Sequence, residues 1–266
     1  MSTAVVGGVA RNGLDLSGKH ALVTGGGTGL GLQMAEALAE AGARVTVCGR
    51  REEPLQRAAS AMVAAGRDAH WVVADVTRDS DRRKLFEEVK GIDILVNNAG
   101  GGERKPWLTV TIDEWRALLT LNLEAPFAMS QVFAPPMIEK KWGRIINISS
   151  IYGLIVGDPA LYGDWGVDLA SYIASKHGLI GLTKHLAMVL GSTGVTVNAL
   201  CPGMFPGTEK NAKHAAGLIS GVEARTPVKR AGNDTDLRAA IVYLASPGSS
   251  FYTGQSLVVD GGWTIW

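Results

Sequence analysis

The sequence predicts an α/β protein, one domain in which a parallel sheet is covered by helices. Three observations predict it. Short apolar runs alternate with longer helical patterns, the form that repeated βαβ units take in a sequence. The apolar runs are continuous rather than alternating, as strands buried on both faces of a sheet should be. At 266 residues the chain suits one large core, and no linker, internal repeat or low-complexity block divides it.

The strands are expected at His20 to Val23, Arg44 to Cys48, Ala69 to Val73, Ile92 to Val96, Arg144 to Ile148, Val195 to Leu200 and Ser256 to Val259. Between the first two, Leu30, Met34, Ala37, Leu38 and Ala41 recur at helical spacing, and Gly42 supplies the stop. Further helices are expected near Glu52 to Ala65, Asp79 to Lys90, Thr111 to Ile138, Ser171 to Leu190 and Asp234 to Ala245. Residues 1–15 read as a flexible tail ahead of a domain spanning 16–266.

Composition narrows the function. Lys+Arg 26 against Asp+Glu 25 gives a formal charge of +1, which offers nothing to a polyanion such as nucleic acid. Cys48 and Cys201 are two scattered thiols inside apolar runs, not a disulfide framework. With no membrane-length apolar stretch and no secretory leader pattern, a cytoplasmic protein is expected. The five histidines form no metal set, and neither H-E-x-x-H nor a G-x-S-x-G nucleophile turn occurs.

Two local patterns carry chemistry. The first strand runs into Thr24-Gly25-Gly26-Gly27-Thr28-Gly29-Leu30-Gly31, and the helical pattern begins inside that run. A glycine-rich strand-to-helix turn lets backbone N–H groups approach a pyrophosphate at the positive end of a helix dipole. Further on, Tyr172 and Lys176 stand four apart, on one face of a helix. An ammonium within roughly 4 to 6 Å favours a phenolate and draws the phenol's pKa down from about 10. Such a tyrosine can exchange a proton with a carbonyl or alcohol oxygen.

With Asn97-Asn98-Ala99-Gly100 after the fourth strand, Asn122, Ser149-Ser150 after the fifth and Pro202-Gly203 after the sixth, the chain resembles the short-chain dehydrogenase/reductase family from about Leu16 to Trp266. The resemblance implies a Rossmann-type, doubly wound seven-stranded parallel sheet that binds a nicotinamide dinucleotide at the carboxyl ends of its strands. It implies Tyr172 as general acid/base, with Lys176 lowering its pKa and holding the nicotinamide ribose. Ser150 would bond the substrate oxygen, and Asn122 would fix a water that extends the proton relay. Ser150 is preferred to Ser149 because Ser150-Ile151-Tyr152-Gly153 matches the family's S-x-x-G, which leaves Ser149 a structural role.

The same resemblance puts Gly25, Gly27, Thr28, Gly29, Leu30 and Gly31 against the pyrophosphate, and Asp75 with Val76 beside the adenine. Asn98, Ala99 and Gly100, with Asn97, would form the wall behind the cofactor, and Pro202, Gly203, Phe205 and Thr208 its nicotinamide end. The second strand ends in Gly49-Arg50-Arg51, with no carboxylate for a ribose 2′-hydroxyl. The planar fork of Arg50, helped by Arg51, suits a 2′-phosphate, so the expected cofactor is NADP(H).

Two departures from the family pattern concern the substrate. From Ser150 to Tyr172 the chain runs about nine residues longer than most members, and this insertion within Leu154 to Asp168 enters beside the site. After the sixth strand Gly207 stands where many relatives carry threonine, with Thr208 one place later. Met204 to Thr226 is read as a mobile substrate loop. Ile151, Tyr152, Leu154, Trp165, Met204 and Phe205, with Trp107, suggest a mainly apolar pocket without an arginine clamp. The terminal Trp263 and Trp266 suggest a buried subunit contact, and a homotetramer is expected. The resulting expectation is an NADP(H)-dependent carbonyl reductase or alcohol dehydrogenase, resembling the gluconate 5-dehydrogenase and 3-oxoacyl-thioester reductase branches. The alternatives are a polyol or sugar-acid dehydrogenase and, from another class, a non-catalytic dinucleotide-binding sensor or scaffold.

Overall fold

The computed structural model describes residues 13–102, 105–157, 169–205 and 212–265. Its centre is a seven-stranded sheet in which every pair is parallel. The strands are β1 (His20–Thr24), β2 (Arg44–Gly49), β3 (Ala69–Val73), β4 (Ile94–Asn97), β5 (Gly143–Ile148), β6 (Val195–Pro202) and β7 (Ser256–Val259). Their order is β3-β2-β1-β4-β5-β6-β7, so the winding reverses between β1 and β4. In such Rossmann-type sheets the crevice at the reversal, outside the carboxyl ends of the strands, is where ligands bind. β5 and β6 are buried along their whole length, whereas the edge strand β7 is half-buried throughout.

The helices are α1 (Gly29–Glu40), α2 (Glu52–Ala64), α3 (Asp79–Val89), α4 (Ile112–Leu119), α5 (Ala125–Glu139), α6 (Ala170–Leu190), α7 (Ala212–Arg225) and α8 (Arg238–Ala245). On one face Met34 and Leu38 of α1, Leu55 and Met62 of α2 and Ile241 and Leu244 of α8 pack on Val23, Val45, Val96 and Ile146. On the other, Leu85 of α3, Met129 and Phe133 of α5 and Leu190 of α6 cover Leu22, Leu95, Ile145 and Val197. Successive residues of each strand thus serve opposite cores, as the two-residue strand period requires. Among the described residues no helix is long and apolar enough to cross a membrane.

The structure corrects three expectations about elements. The helix expected from Thr111 to Ile138 is interrupted by a π-helical turn, Thr120–Glu124, between α4 and α5. Pro126 has no N–H, so the Asn122 carbonyl four residues earlier is denied its α-helical donor, and the backbone widens there. Met204 to Thr226 is not all loop, because α7 occupies Ala212–Arg225; Gly217 and Gly221 blunt its helical signal. The last helix starts at Arg238 rather than near Asp234. Asp236 upstream is spent on Arg230 and the Asn233 N–H, and Gln33 of α1 accepts the Leu237 N–H at 3.0 Å. Residues 1–12 of the expected tail lie outside the described residues, and Leu16, fully buried, is already part of the fold.

Candidate active site

β1 ends in a sharp turn with Gly25 at φ 65, and α1 starts behind Thr28 with no side-chain cap and no acidic residue in its first turn. The chain caps a helix fully elsewhere: at α4, Thr111 accepts the Glu114 N–H while Glu114 accepts the Thr111 N–H. The free N–H groups of α1 therefore face a cavity with the positive end of the helix dipole behind them, a fit for a pyrophosphate. Gly31 permits the close approach, since a Cβ there would strike the Gly25 carbonyl and the Asn98 amide.

That turn is clasped to β4. The Thr24 hydroxyl accepts the N–H groups of Asn98 and Ala99, each at 2.9 Å, and donates to Val96 at 3.3 Å. Asn98 Nδ2 returns to the Thr24 carbonyl at 2.8 Å. The two strand ends at the sheet reversal are thus fixed without covering the crevice between them.

The crevice opens into a cavity of about 500 Å³. Of the expected contacts it is lined by Gly25, Gly27, Thr28, Leu30, Gly31, Arg50, Arg51, Asp75, Val76, Asn98, Ala99, Gly100, Ser150, Tyr172, Lys176, Pro202 and Gly203. Sequence reasoning missed Pro54, Leu55, Ala74, Gly101, Gly102, Leu121, Ile148 and Ser149, which also line it. For Ala74, Gly101, Leu121 and Ser149 the signal is adjacency, as each stands beside a residue picked for its chemistry. Gly29 and Asn122 are not among the lining residues. Arg50 and Arg51 are exposed on the rim, after β2. For Asp75, burial pushes the carboxyl up, but bonds from Thr77 and the charges of Arg50 and Arg78 leave it below its ordinary value.

At the other end of the cavity α6 presents Tyr172 and Lys176. The Lys176 ammonium lies 5.6 Å from the centre of the Tyr172 ring and donates to the Ile148 carbonyl at 2.8 Å. Burial dominates both groups: it pushes the Tyr172 phenol up, opposed by a hydrogen bond with Ser150, and brings Lys176 down to about 8. The expected lowering of the phenol by the ammonium is therefore not what the protein alone produces, because desolvation outweighs it. Asn122 is buried behind the π turn with its side chain fully engaged. Its Oδ1 accepts the Gly101 N–H at 3.0 Å, and its Nδ2 donates to the Gly101 carbonyl at 2.9 Å and to Ser175 Oγ at 3.0 Å.

Several expected residues sit elsewhere. Asn97 turns away from the cavity and donates to Asn147 Oδ1 at 2.9 Å. Ile151 and Tyr152 are buried with Val222 and Trp263 in a small apolar cluster against Tyr172 and Met204. They back the site rather than line it. Trp263 is thus covered within the monomer, which corrects its reading as a subunit contact. Met204 and Phe205 line a separate cavity of about 220 Å³ with Val222, Thr226 and Arg230. Leu154 and Trp107 are exposed and outside the main cavity. Trp165, most of the insertion, Thr208 and Trp266 lie outside the described residues.

A doubly wound sheet with an uncapped glycine turn at its reversal is the architecture of a dinucleotide-binding α/β protein. Residues 19–218 match the family model of the short chain dehydrogenases. The chain is 37% identical to the galactitol 2-dehydrogenase (L-tagatose-forming) of Cereibacter sphaeroides, over 94% of this chain and 97% of that one. It is 35% identical to the 3-oxoacyl-[acyl-carrier-protein] reductase of Aquifex aeolicus, over 94% and 98%. It superposes with a TM-score of 0.87 on a gluconate 5-dehydrogenase from Burkholderia cenocepacia J2315 in complex with NADP and tartrate, at 36% identity over 97% and 99% of the two chains. This chain belongs to the short-chain dehydrogenase family.

The buried ammonium has a measurable cost. Lys176 titrates near 8 in the folded protein against 10.5 ordinarily, so between those values the unfolded chain holds the extra proton and stability rises with pH. Below about 8 the penalty is fully present. The cofactor-free Lys176→Met variant should therefore unfold at higher urea than the wild type at pH 7, with the gain shrinking as the pH rises from 8 toward 10.5. Urea midpoints across that range check it, and an equal or lower midpoint at pH 7 contradicts it.

Proposed function

We propose that the protein is an NADP(H)-dependent oxidoreductase that interconverts a ketone and a secondary alcohol, with Tyr172 as general acid/base. The observation that carries this reading is the continuity of one cavity, from the uncapped start of α1 and Arg50 at one end to Ser150, Tyr172 and Lys176 at the other. When bound, the dinucleotide supplies or accepts the hydride. Everything else falls to the protein. The α1 amides and the Gly25–Gly31 turn hold the pyrophosphate, Arg50 with Arg51 holds a 2′-phosphate, and Lys176 reaches the ribose. NADP in the similar gluconate 5-dehydrogenase structure supports the same choice.

The hydroxyls of Ser150 and Tyr172 address the oxygen on which charge grows as a carbonyl is reduced, so they stabilise the transition state more than the ground state. Tyr172, pushed up by burial, stays protonated at neutral pH and is ready to give its proton to that oxygen. Lys176 replaces the proton. The Asn122 side chain is committed to Gly101 and Ser175, which leaves its main-chain carbonyl to fix the water that continues the relay. Alcohol oxidation needs the phenolate and is favoured by alkaline pH.

A second reading, a polyol or sugar-acid dehydrogenase, is favoured by the names of the galactitol and gluconate relatives. Assays with D-gluconate, galactitol and NADP⁺ against ethyl 3-oxobutanoate and NADPH separate the two. Assembly is also proposed. Leu119, Leu123, Phe127 and Leu182 line an outward-facing groove of about 380 Å³ on α4, α5 and α6, and Met188 and Val189 are exposed further along α6. Apolar faces of this kind suit burial in a homotetramer.

Tyr172→Phe should lower turnover by about 10² or more with cofactor affinity retained, measured by steady-state rates and NADPH titration. Survival of full turnover would sink the proton-donor role. Arg50→Ala should raise the Michaelis constant for NADPH at least about tenfold and leave that for NADH nearly unchanged; equal effects on the two would contradict 2′-phosphate recognition. Light scattering should give a mass of four chains, and a mass of one chain refutes the assembly.

A further inference from the structure

Ser150 stands after the end of β5, whereas Tyr172 and Lys176 stand on α6. Their hydroxyls can address one oxygen only if strand end and helix keep a fixed separation, and a misplacement of about 1 Å costs roughly 10² in rate. Besides the hydrogen bond between Ser150 and Tyr172 themselves, polar ties cross this gap from Lys176 Nζ to the Ile148 carbonyl at 2.8 Å, from Ser149 Oγ to the Lys176 carbonyl at 3.0 Å, and from Asn147 Nδ2 to Thr183 Oγ1 at 2.9 Å. The first of these three uses an ammonium that the reaction needs, and the third lands two turns further along the helix. The Ser149 bond grips the turn bearing Tyr172 and Lys176 through its backbone.

Ser149 is itself firmly held. It is buried, and its N–H donates to the Leu200 carbonyl at 2.8 Å. Its hydroxyl has one hydrogen, given to the Lys176 carbonyl at 3.0 Å. Gly153 leaves the space for this contact, since a Cβ there would stand 2.6 Å from Ser149 Oγ and 2.7 Å from the Lys176 carbonyl oxygen.

We infer that Ser149 is a positioning residue of the reaction: the bond from its hydroxyl to the Lys176 carbonyl fixes the Tyr172–Lys176 turn against the peptide that carries Ser150. The inference rests on Tyr172 being the proton donor.

Ser149→Ala, Ser149→Cys and Tyr172→Phe are compared with the wild type in NADPH-dependent reduction of ethyl 3-oxobutanoate, with NADPH affinity followed by fluorescence. Ser149→Ala should lower kcat about tenfold, leave KM and NADPH affinity within about twofold and shift the alkaline limb of the kcat profile. Ser149→Cys, of similar shape but a weaker donor, should fall between Ser149→Ala and the wild type. Amide exchange over residues 170–178 of the NADPH-bound enzyme should quicken in Ser149→Ala. Wild-type kcat and pH profile in Ser149→Ala, or unchanged exchange whether or not the ester is turned over, overturns the inference. Should Ser149→Ala not fold, an undiminished kcat in Ser149→Cys overturns it. Turnover that survives Tyr172→Phe defeats the reading of the site itself, whereas its loss there with Ser149→Ala unaffected defeats only the positioning role.

Discussion

The clasp between Thr24 and Asn98 is the constraint on which the active end of the molecule depends. Where a parallel sheet reverses its winding, the strands on either side send their connections to opposite faces, and the crevice they leave has no helix to close it. Its two lips must be held by something other than a covering layer. Here one hydroxyl accepts two adjacent backbone N–H groups from the β4 end, and the Asn98 amide returns the bond to β1. The glycine turn is built on one side of this clasp and Gly100 with Gly101 on the other. The Asn122 amide then grips Gly101 through both backbone groups and hands on to Ser175 of α6. The phosphate end and the proton-transfer end of the site are thereby one connected piece.

That connected piece is built at a cost in electrostatics. Burial opposes the charged form of Lys176 and the ionised form of Tyr172, and the ammonium donates to the Ile148 carbonyl. A backbone carbonyl and the Ser150 hydroxyl do the pairing, and these neutral partners leave the phenol raised by burial.

The fold was legible in the sequence wherever burial was two-sided. β5 and β6, covered on both faces, lie within two residues at either end of where the sequence placed them. Illegible were the features set by long-range contact or by a single missing atom. The π turn follows from a missing N–H at Pro126, which no apolar periodicity registers. Likewise α7 shows a weak helical pattern because small residues and two glycines interrupt it. Ser150, Tyr172, Lys176 and most of the glycine turn, picked for their chemistry, line one cavity, whereas Ile151 and Tyr152, picked for being apolar and nearby, proved to be packing behind it. Apolar character marks burial more readily than it marks a pocket, and distance along the chain says little about which side of a tyrosine a neighbour occupies.

The two halves of the site also rest on different foundations. The glycine turn, the clasp and the ends of β1, β2 and β4 are seated on the two large cores that cover the sheet. The substrate side rests on a satellite cluster of Ile151, Tyr152, Val222 and Trp263, drawn from the turn after β5, from α7 and from the chain's end. Asp260 secures the last of these by accepting the N–H groups of Gly262 and Thr264, each at 2.8 Å. A substitution within the satellite cluster can reshape the space beside Tyr172 without unseating a strand, whereas one beneath the glycine turn disturbs the main core. Change in the packing beside Tyr172 is therefore mechanically separable from change beneath the glycine turn, because the two rest on different cores.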